Sequence, residues 1–296
     1  MVLRDIPQSI QVIPQAVLED QEVIRLNDAL RNVSGVVSSS LDQRGQDFIV
    51  RGFSGSTVLR DGVRLTPGGG NFGFQELSNI ESIEVLKGPA SVLYGNAEPG
   101  GTINIVTKQP LSEPFYEVGL RVGNRTLIEP SLDLTGPLTA DGSLSYRLNA
   151  LARREDYYRN FDTPVSRTFI APIVRWNISD RTDLTVSLEY DDSRRPADFG
   201  LPAIGDRVAD VPFDRITGEP GDDARNETLR VGYDFEHRFS DNWRIRNTFS
   251  YYRFDPTFTA NAAVPGDFVG FPTAPGELIR FFTTVRQLSE TTTLQT

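Results

Sequence analysis

NIESIEVLKGPASVLYGNAEPGGTINIVTKQP, residues 79–110, decides the fold. Ile80, Ile83, Val85 and Leu86 make a short apolar strand. Gly88-Pro89 ends it, because proline has no amide hydrogen for a ladder and fixes its own φ. Proline also suits the first turn of a helix, so Pro89 to Tyr94 reads as about one and a half turns closed by Gly95. Asn96 to Gly101 is a tight turn built on Pro99-Gly100-Gly101. Ile103, Ile105 and Thr107 then form a second strand. The unit is strand, short helix, glycine-rich turn, strand, and it delivers the chain at Pro110 to a different grammar.

Upstream, Ile6, Ile10 and Val12 predict a short strand, and Pro14 opens a helical turn running to Glu19. Leu26, Ala29, Leu30 and Val33 fall at i, i+3, i+4 and i+7, an amphipathic helix facing a core and stopped at Gly35. Phe48 to Phe53 is a strand entering a turn. Val58-Leu59-Arg60 and Val63-Arg64-Leu65 flank Asp61-Gly62, a two-residue hairpin turn in which both residues take positive φ. A glycine-rich loop, TPGGGNFGF, occupies 66–74. Residues 1–110 are therefore expected to form a compact α+β module.

Beyond Pro110, apolar and polar residues alternate. Tyr116, Val118, Leu120 and Val122 interleave with Glu117, Gly119 and Arg121. The same pattern recurs around Leu144 to Ala152, Leu184 to Tyr190, Leu229 to Phe235 and Trp243 to Tyr251. One face of each strand carries full charges. That face is either the outside of a soluble sandwich or the wet interior of a membrane barrel whose apolar face meets lipid. The connections decide. Short polar turns at 139–142, 179–182 and 240–242 alternate with long connections at about 154–166, 192–226 and 255–277. All the long ones fall at one end of the sheet, as in outer-membrane barrels. About eight strands are expected from Phe115 to Leu288, with a ninth starting near Thr291. Eight strands close around little more than their own side chains, whereas a barrel enclosing a whole folded module needs about twenty-two. Residues 111–296 thus read as the N-terminal portion of an incomplete barrel.

Composition agrees. No run of about eighteen apolar residues offers a spanning helix, while barrel strands need only about ten residues of alternation. The net charge is −10, with no basic cluster to suit nucleic acid. There is no cysteine, so thiolate metal sites and disulfides are excluded. The opening MVLRDIPQSIQ has no basic segment followed by an apolar core and is not read as a signal peptide.

IESIEVLKGPASVLYGNAEPGGTINIVTK resembles the end of the plug domain of TonB-dependent outer-membrane receptors, in detail their ferric-siderophore branch. DIPQSIQVIP, LNDALRNVSGV, FIVRGF and DGVRL follow the order of such plugs. LSYRLNALARRE and YDFEHRFSDNWRIRNTFSYYRFD resemble early barrel strands of the same family. The resemblance implies the cell outer membrane of a Gram-negative-type bacterium. It implies a ferric siderophore bound above the plug and energised import into the periplasm through a TonB complex. No bond is made or broken, and iron arrives inside its ligand rather than as a cofactor of the protein. A TonB box would precede residue 5, and nothing before Asp5 offers one. The same architecture also serves other ligands, cobalamin or an oligosaccharide, and a non-transporting outer-membrane binding protein is the further alternative.

The resemblance places plug apices and loop aromatics toward the ligand. Matching positions are Arg51, which otherwise forms an ion pair within the plug, and Phe72 and Phe74, which otherwise fill its core. Tyr157, Tyr158 and Phe161 lie in an external loop with Arg153, Arg154 and Arg159, where they either cradle a polar chelate or form an interfacial girdle. His237 is the only histidine and cannot build a metal site alone. Asp191-Asp192 and Asp222-Asp223 are either cation ligands or solvated loop carboxylates. No Ser/His/Asp or Cys/His set is present, so an enzyme is not expected. The glycine runs lack the Gly-Lys-Ser/Thr ending of a phosphate loop.

Overall fold

A computed structural model describes residues 9–39, 46–65, 74–88, 99–201, 203–204, 206–265, 278–286 and 289–295. The expected helical turn at 89–94 and the position of Phe72 lie outside these residues.

The N-terminal module is a five-stranded mixed sheet. Its strands are β1 (Ser9–Pro14), β4 (Thr57–Arg60), β5 (Val63–Arg64), β6 (Ile80–Lys87) and β7 (Gly101–Thr107), in the order β1-β6-β7-β4-β5. A small hairpin pairs β2 (Val36–Ser38) with β3 (Phe48–Val50). Pro14 is the N-cap of α1 (Gln15–Asp20), in extended conformation; its fixed φ is compatible with a helix start. The second helix, α2 (Leu26–Leu30), is shorter than the periodicity predicts and continues as turns to Val33. Leu26, Ala29, Leu30 and Val33 are nonetheless all buried, against Ile83, Val85, Ile103 and Ile105 of the sheet. Each fully buried leucine contributes about 2 kcal/mol.

The Asp61-Gly62 turn works as the sequence predicts. Asp61 (φ +50) and Gly62 (φ +78) both take the left-handed conformation between β4 and β5. Gly100 passes so close to β3 that a Cβ there meets the Val50 carbonyl oxygen and sits 2.8 Å from Phe53 Cβ.

The second part is an open antiparallel sheet. It comprises β8 (Phe115–Val122), β9 (Ile128–Pro137), β10 (Leu144–Glu155), β11 (Val165–Ser179), β12 (Thr182–Pro196), β15 (Asp223–Ser240), β16 (Trp243–Pro265) and β17 (Leu278–Arg286), each paired with the next. A minor hairpin, β13 (Ala203–Ile204) and β14 (Arg207–Val208), sits within the β12–β15 connection. The expected ninth strand is not separate. β18 (Ser289–Gln295) pairs with β16 in the same register as β17, so the two are successive pieces of one strand.

The strands also run further than their composition suggests. The long connections shrink to 156–164, 197–222 and 266–277, the last outside the described residues. Cross-strand ion pairs extend the ladder through charged sequence: Arg225 donates to both oxygens of Asp192 at 2.8 Å, and Arg194 Nε to Asp223 at 2.6 Å. These carboxylates are therefore paired strand residues. Asp191 pairs with Arg167, and Asp222 accepts from Asn261. Among the described residues no helix is long and apolar enough to cross a membrane, which says nothing of strands.

Burial fixes the faces. In β10 the polar residues Ser145, Arg147 and Asn149 are buried, whereas Val118 and Leu120 of β8, Trp176 of β11 and Val186 of β12 are exposed. The sheet is apolar outside and polar inside, the inverse of a soluble sandwich, and its polar face wraps the N-terminal module.

Candidate functional site

The site forms where the polar face of β8–β12 meets the module. A cavity of about 530 Å³ lies between them, within the usual size of small-molecule sites. Its module side carries Arg25, Phe74 and Glu76, and its sheet side carries Asn149, Arg153, Arg167 and Arg195.

Charge on these walls is largely neutralised in place. Arg167 bridges the two parts: its Nη2 donates to the Phe74 carbonyl at 2.6 Å, its Nε to Asp191 at 2.9 Å, and its Nη1 lies 3.2 Å from Glu76. Arg153 pairs with Glu155 at 2.6 Å and approaches Glu129 at 3.6 Å. Nearer the short turns, Asp133 accepts from Lys108 at 2.9 Å and from Arg147 at 2.8 Å, and Arg147 also donates to the Gln109 carbonyl. Arg195 differs. It lies over the Phe74 ring, 3.6 Å from the centroid, and its buried Nε has no hydrogen-bond partner. Asn149, also fully buried, has neither its Nδ2 nor its Oδ1 partnered.

Over the cavity the two long connections clasp each other. Asp198 accepts from Arg159 Nη1 at 3.0 Å, Tyr157 at 3.1 Å, Tyr158 at 3.3 Å and the Gly200 amide at 2.8 Å. Phe213 stacks on Tyr158 at 5.4 Å, and Phe161 meets Tyr157 edge-on at 5.8 Å. Burial, followed by the Tyr158 hydroxyl and the Asp198 carboxylate, holds the Tyr157 phenol well above its ordinary range.

Of the residues singled out in the sequence, Phe74, Tyr157 and Tyr158 line the same cavity, and Phe161 packs behind them. Arg51 stands apart from it: exposed, at φ +54, with its amide donating to the Gly35 carbonyl. It forms no ion pair among the described residues. Phe72 lies outside them. His237 hydrogen-bonds Thr182 at 2.8 Å near a short turn, and among the described residues no acidic, cysteine or histidine group is arranged to hold a metal. Sequence reading missed Arg195, Arg167 and Asp198. The first two follow from strand parity once the inner face is known: Glu189, Asp191, Ser193 and Arg195 share one face of β12, and Arg167 shares the face of buried Phe169 and Ala171 on β11. Asp198, in an irregular connection, carries no such signal.

Residues 2–102 match the family model for the TonB-dependent receptor plug domain, and residues 175–296 match that for the TonB-dependent receptor-like β-barrel. The chain belongs to the TonB-dependent receptors. The N-terminal module is the plug, and the open sheet is barrel wall. Among curated relatives, the metal-pseudopaline receptor of Pseudomonas aeruginosa is 33% identical over 247 residues, which are 82% of this chain and 34% of that protein. The ferrichrome outer membrane transporter/phage receptor of Escherichia coli is 30% identical over 280 residues, 89% of this chain and 36% of that protein. The chain thus spans about a third of the length of the curated relatives it matches. In fold it is similar to the crystal structure of the ferripyoverdine receptor of Pseudomonas aeruginosa bound to ferripyoverdine. The TM-score is 0.86 at 21% identity, covering 99% of this chain and 40% of that one.

Proposed function

We propose that this chain is part of an outer-membrane receptor that binds a ferric siderophore between plug and external loops and passes it to the periplasm. The short turns face the periplasm and the long connections the outside. Iron travels as cargo inside the chelate. Energy enters through a TonB complex engaging the plug's N-terminal side. The observation that carries the reading is the polar cavity between Phe74 of the plug and the β10–β12 wall, roofed by Tyr157 and Tyr158. The relatives described as ferrichrome and ferrioxamine receptors support it.

The test is uptake of radioactive iron by receptor-deficient cells carrying the complete reading frame that contains this chain. Hydroxamate, catecholate and mixed ferric siderophores are offered, with and without a functional TonB. Uptake of at least one chelate, abolished without TonB, is expected; no uptake of any of them rejects the reading. A second reading, import of a metal chelate of another kind, is favoured by the metal-pseudopaline receptor among the relatives. It predicts uptake of that chelate in the same cells when every ferric siderophore fails.

A further inference from the structure

The lumen wall pairs its cations with care. Arg121 has Glu129, Arg125 has Glu155, Arg147 has Asp133, Arg153 has Glu155 and Arg167 has Asp191 and Glu76. On β12, Arg194 has Asp223. Arg195 has no carboxylate among the described residues, although it is largely buried and lines the cavity. The charges acting on it are mostly of its own sign: Arg167, Arg25 and Arg153, against Asp191. Arg25, on the plug side of the same cavity, likewise has no carboxylate partner among the described residues. A guanidinium withdrawn from water without a counter-charge is costly. The Phe74 face offsets only part of that cost. Stacking on a ring also occupies the flat face of the guanidinium and leaves its N–H edge free, the edge that binds carboxylate-like oxygens in pairs.

We propose that Arg195, braced on Phe74 and helped by Arg25, is the anion-docking position of this cavity, and that the ligand it selects is a negatively charged, oxygen-rich chelate rather than a neutral one. The assignment rests on the receptor reading above and refines it. The neighbouring wall guanidiniums, Arg153 and Arg167, already have their own carboxylates, so the anion falls to Arg195 with Arg25. Asn149 lies six residues further along the β10 register than Glu155, about 20 Å deeper toward the turns, and offers an unpartnered amide on the same path.

The experiment uses the complete reading frame in outer-membrane preparations, with binding followed by quenching of intrinsic fluorescence. The probes are an anionic ferric tris-catecholate, a neutral ferric tris-hydroxamate and metal-free citrate. Arg195→Gln is expected to weaken binding of the tris-catecholate and of citrate about tenfold, equivalent to about 1.4 kcal/mol, and to leave the neutral chelate within about twofold. Arg195→Lys keeps the charge but not the paired edge, and recovers part of the loss. Outer-membrane abundance and resistance to heat denaturation are measured for both variants. Equal loss for anionic and neutral probes, or no loss for either anion, overturns the anion site. If the wild type binds no ferric chelate, the receptor reading fails. The anion site is then decided by citrate alone: binding that depends on Arg195 supports it, and binding that does not, or none, overturns it.

Discussion

Arg60 of the plug donates from Nη2 to Glu189 of the barrel wall at 2.5 Å, across 129 positions of sequence. Arg60 is 1% exposed. The same nitrogen reaches Asn79 at 2.8 Å, Asn79 donates to the same Glu189 oxygen at 3.2 Å, and Arg230 of the wall donates back to the Arg60 carbonyl at 2.8 Å. The plug is therefore held to the wall by a buried, charged, multiply bonded contact at the base of the Asp61-Gly62 turn. Such a contact contributes little net stability compared with apolar packing, but removing one partner strands the other charge.

Glu189→Ala is accordingly expected to weaken docking of the plug on the wall by about 3 kcal/mol. Glu189→Gln keeps an acceptor for Asn79 and is expected to cost less. Hydrogen exchange of the β4–β5 segment, compared with that of the β8–β9 ladder at the far side of the sheet from Glu189, reads this directly. Equal protection of β4–β5 in wild type and Glu189→Ala would falsify the idea that this pair anchors the plug.

Gly100→Ala should destabilise the plug by about 2 kcal/mol. The added Cβ meets the Val50 backbone and the root of Phe53, neither of which can swing away as a side-chain tip could. Thermal unfolding of the purified protein measures it, and a midpoint unchanged from wild type removes the steric account of the Pro99-Gly100-Gly101 sequence. Gly221→Ala is the control, since nothing lies within 4 Å of a Cβ there.

The fold was legible where local chemistry is strong. Alternation marked the strands, Asp61-Gly62 marked its hairpin, and turn-length parity set the two ends. Strand ends were misread because Arg194, Arg225, Asp192 and Asp223 look like loop residues until their cross-strand partners are known. The site was half legible. Tyr157 and Tyr158 announce themselves as aromatics beside arginines, but Asp198, which orients them, comes from a connection about forty residues on. Arg195 is distinguished on the cavity's sheet side by having no carboxylate among the described residues, and pairing across space is not written in one strand's sequence.

Asp141, in the β9–β10 turn, should titrate unusually low. A hydrogen bond from the Thr139 hydroxyl, followed by those from the Ser143 amide and hydroxyl, lowers its carboxyl to about 2. The folded value lies below the ordinary one near 4. The contribution to turn stability is thus present above about pH 4 and fades as pH falls toward 2. Carboxyl-carbon NMR titration reads the value, and Thr139→Val should raise it toward the ordinary range. A titration near 4 in the wild type rejects the proposed bonding.

Asp198 ties the two loops over the cavity, and its removal should free both. Asp198→Ala strands the buried Arg159 guanidinium and leaves two tyrosine hydroxyls without their acceptor. The expected cost is about 3 kcal/mol, confined to 156–164 and 197–222. Limited proteolysis should then cut within 197–222 much faster than in wild type, while the strands stay intact. The clasp has a pH limit of its own. The Tyr157 phenol is raised in the folded state, so its contribution is complete below the unfolded value near 10 and is lost as pH rises above it. Proteolysis in 197–222 should accelerate above about pH 10 in wild type, and Tyr157→Phe, which has no proton to lose, should flatten that part of the profile. Equal cutting of wild type and Asp198→Ala at neutral pH would show that the aromatic contacts of Tyr158 and Phe213 hold the loops without the carboxylate.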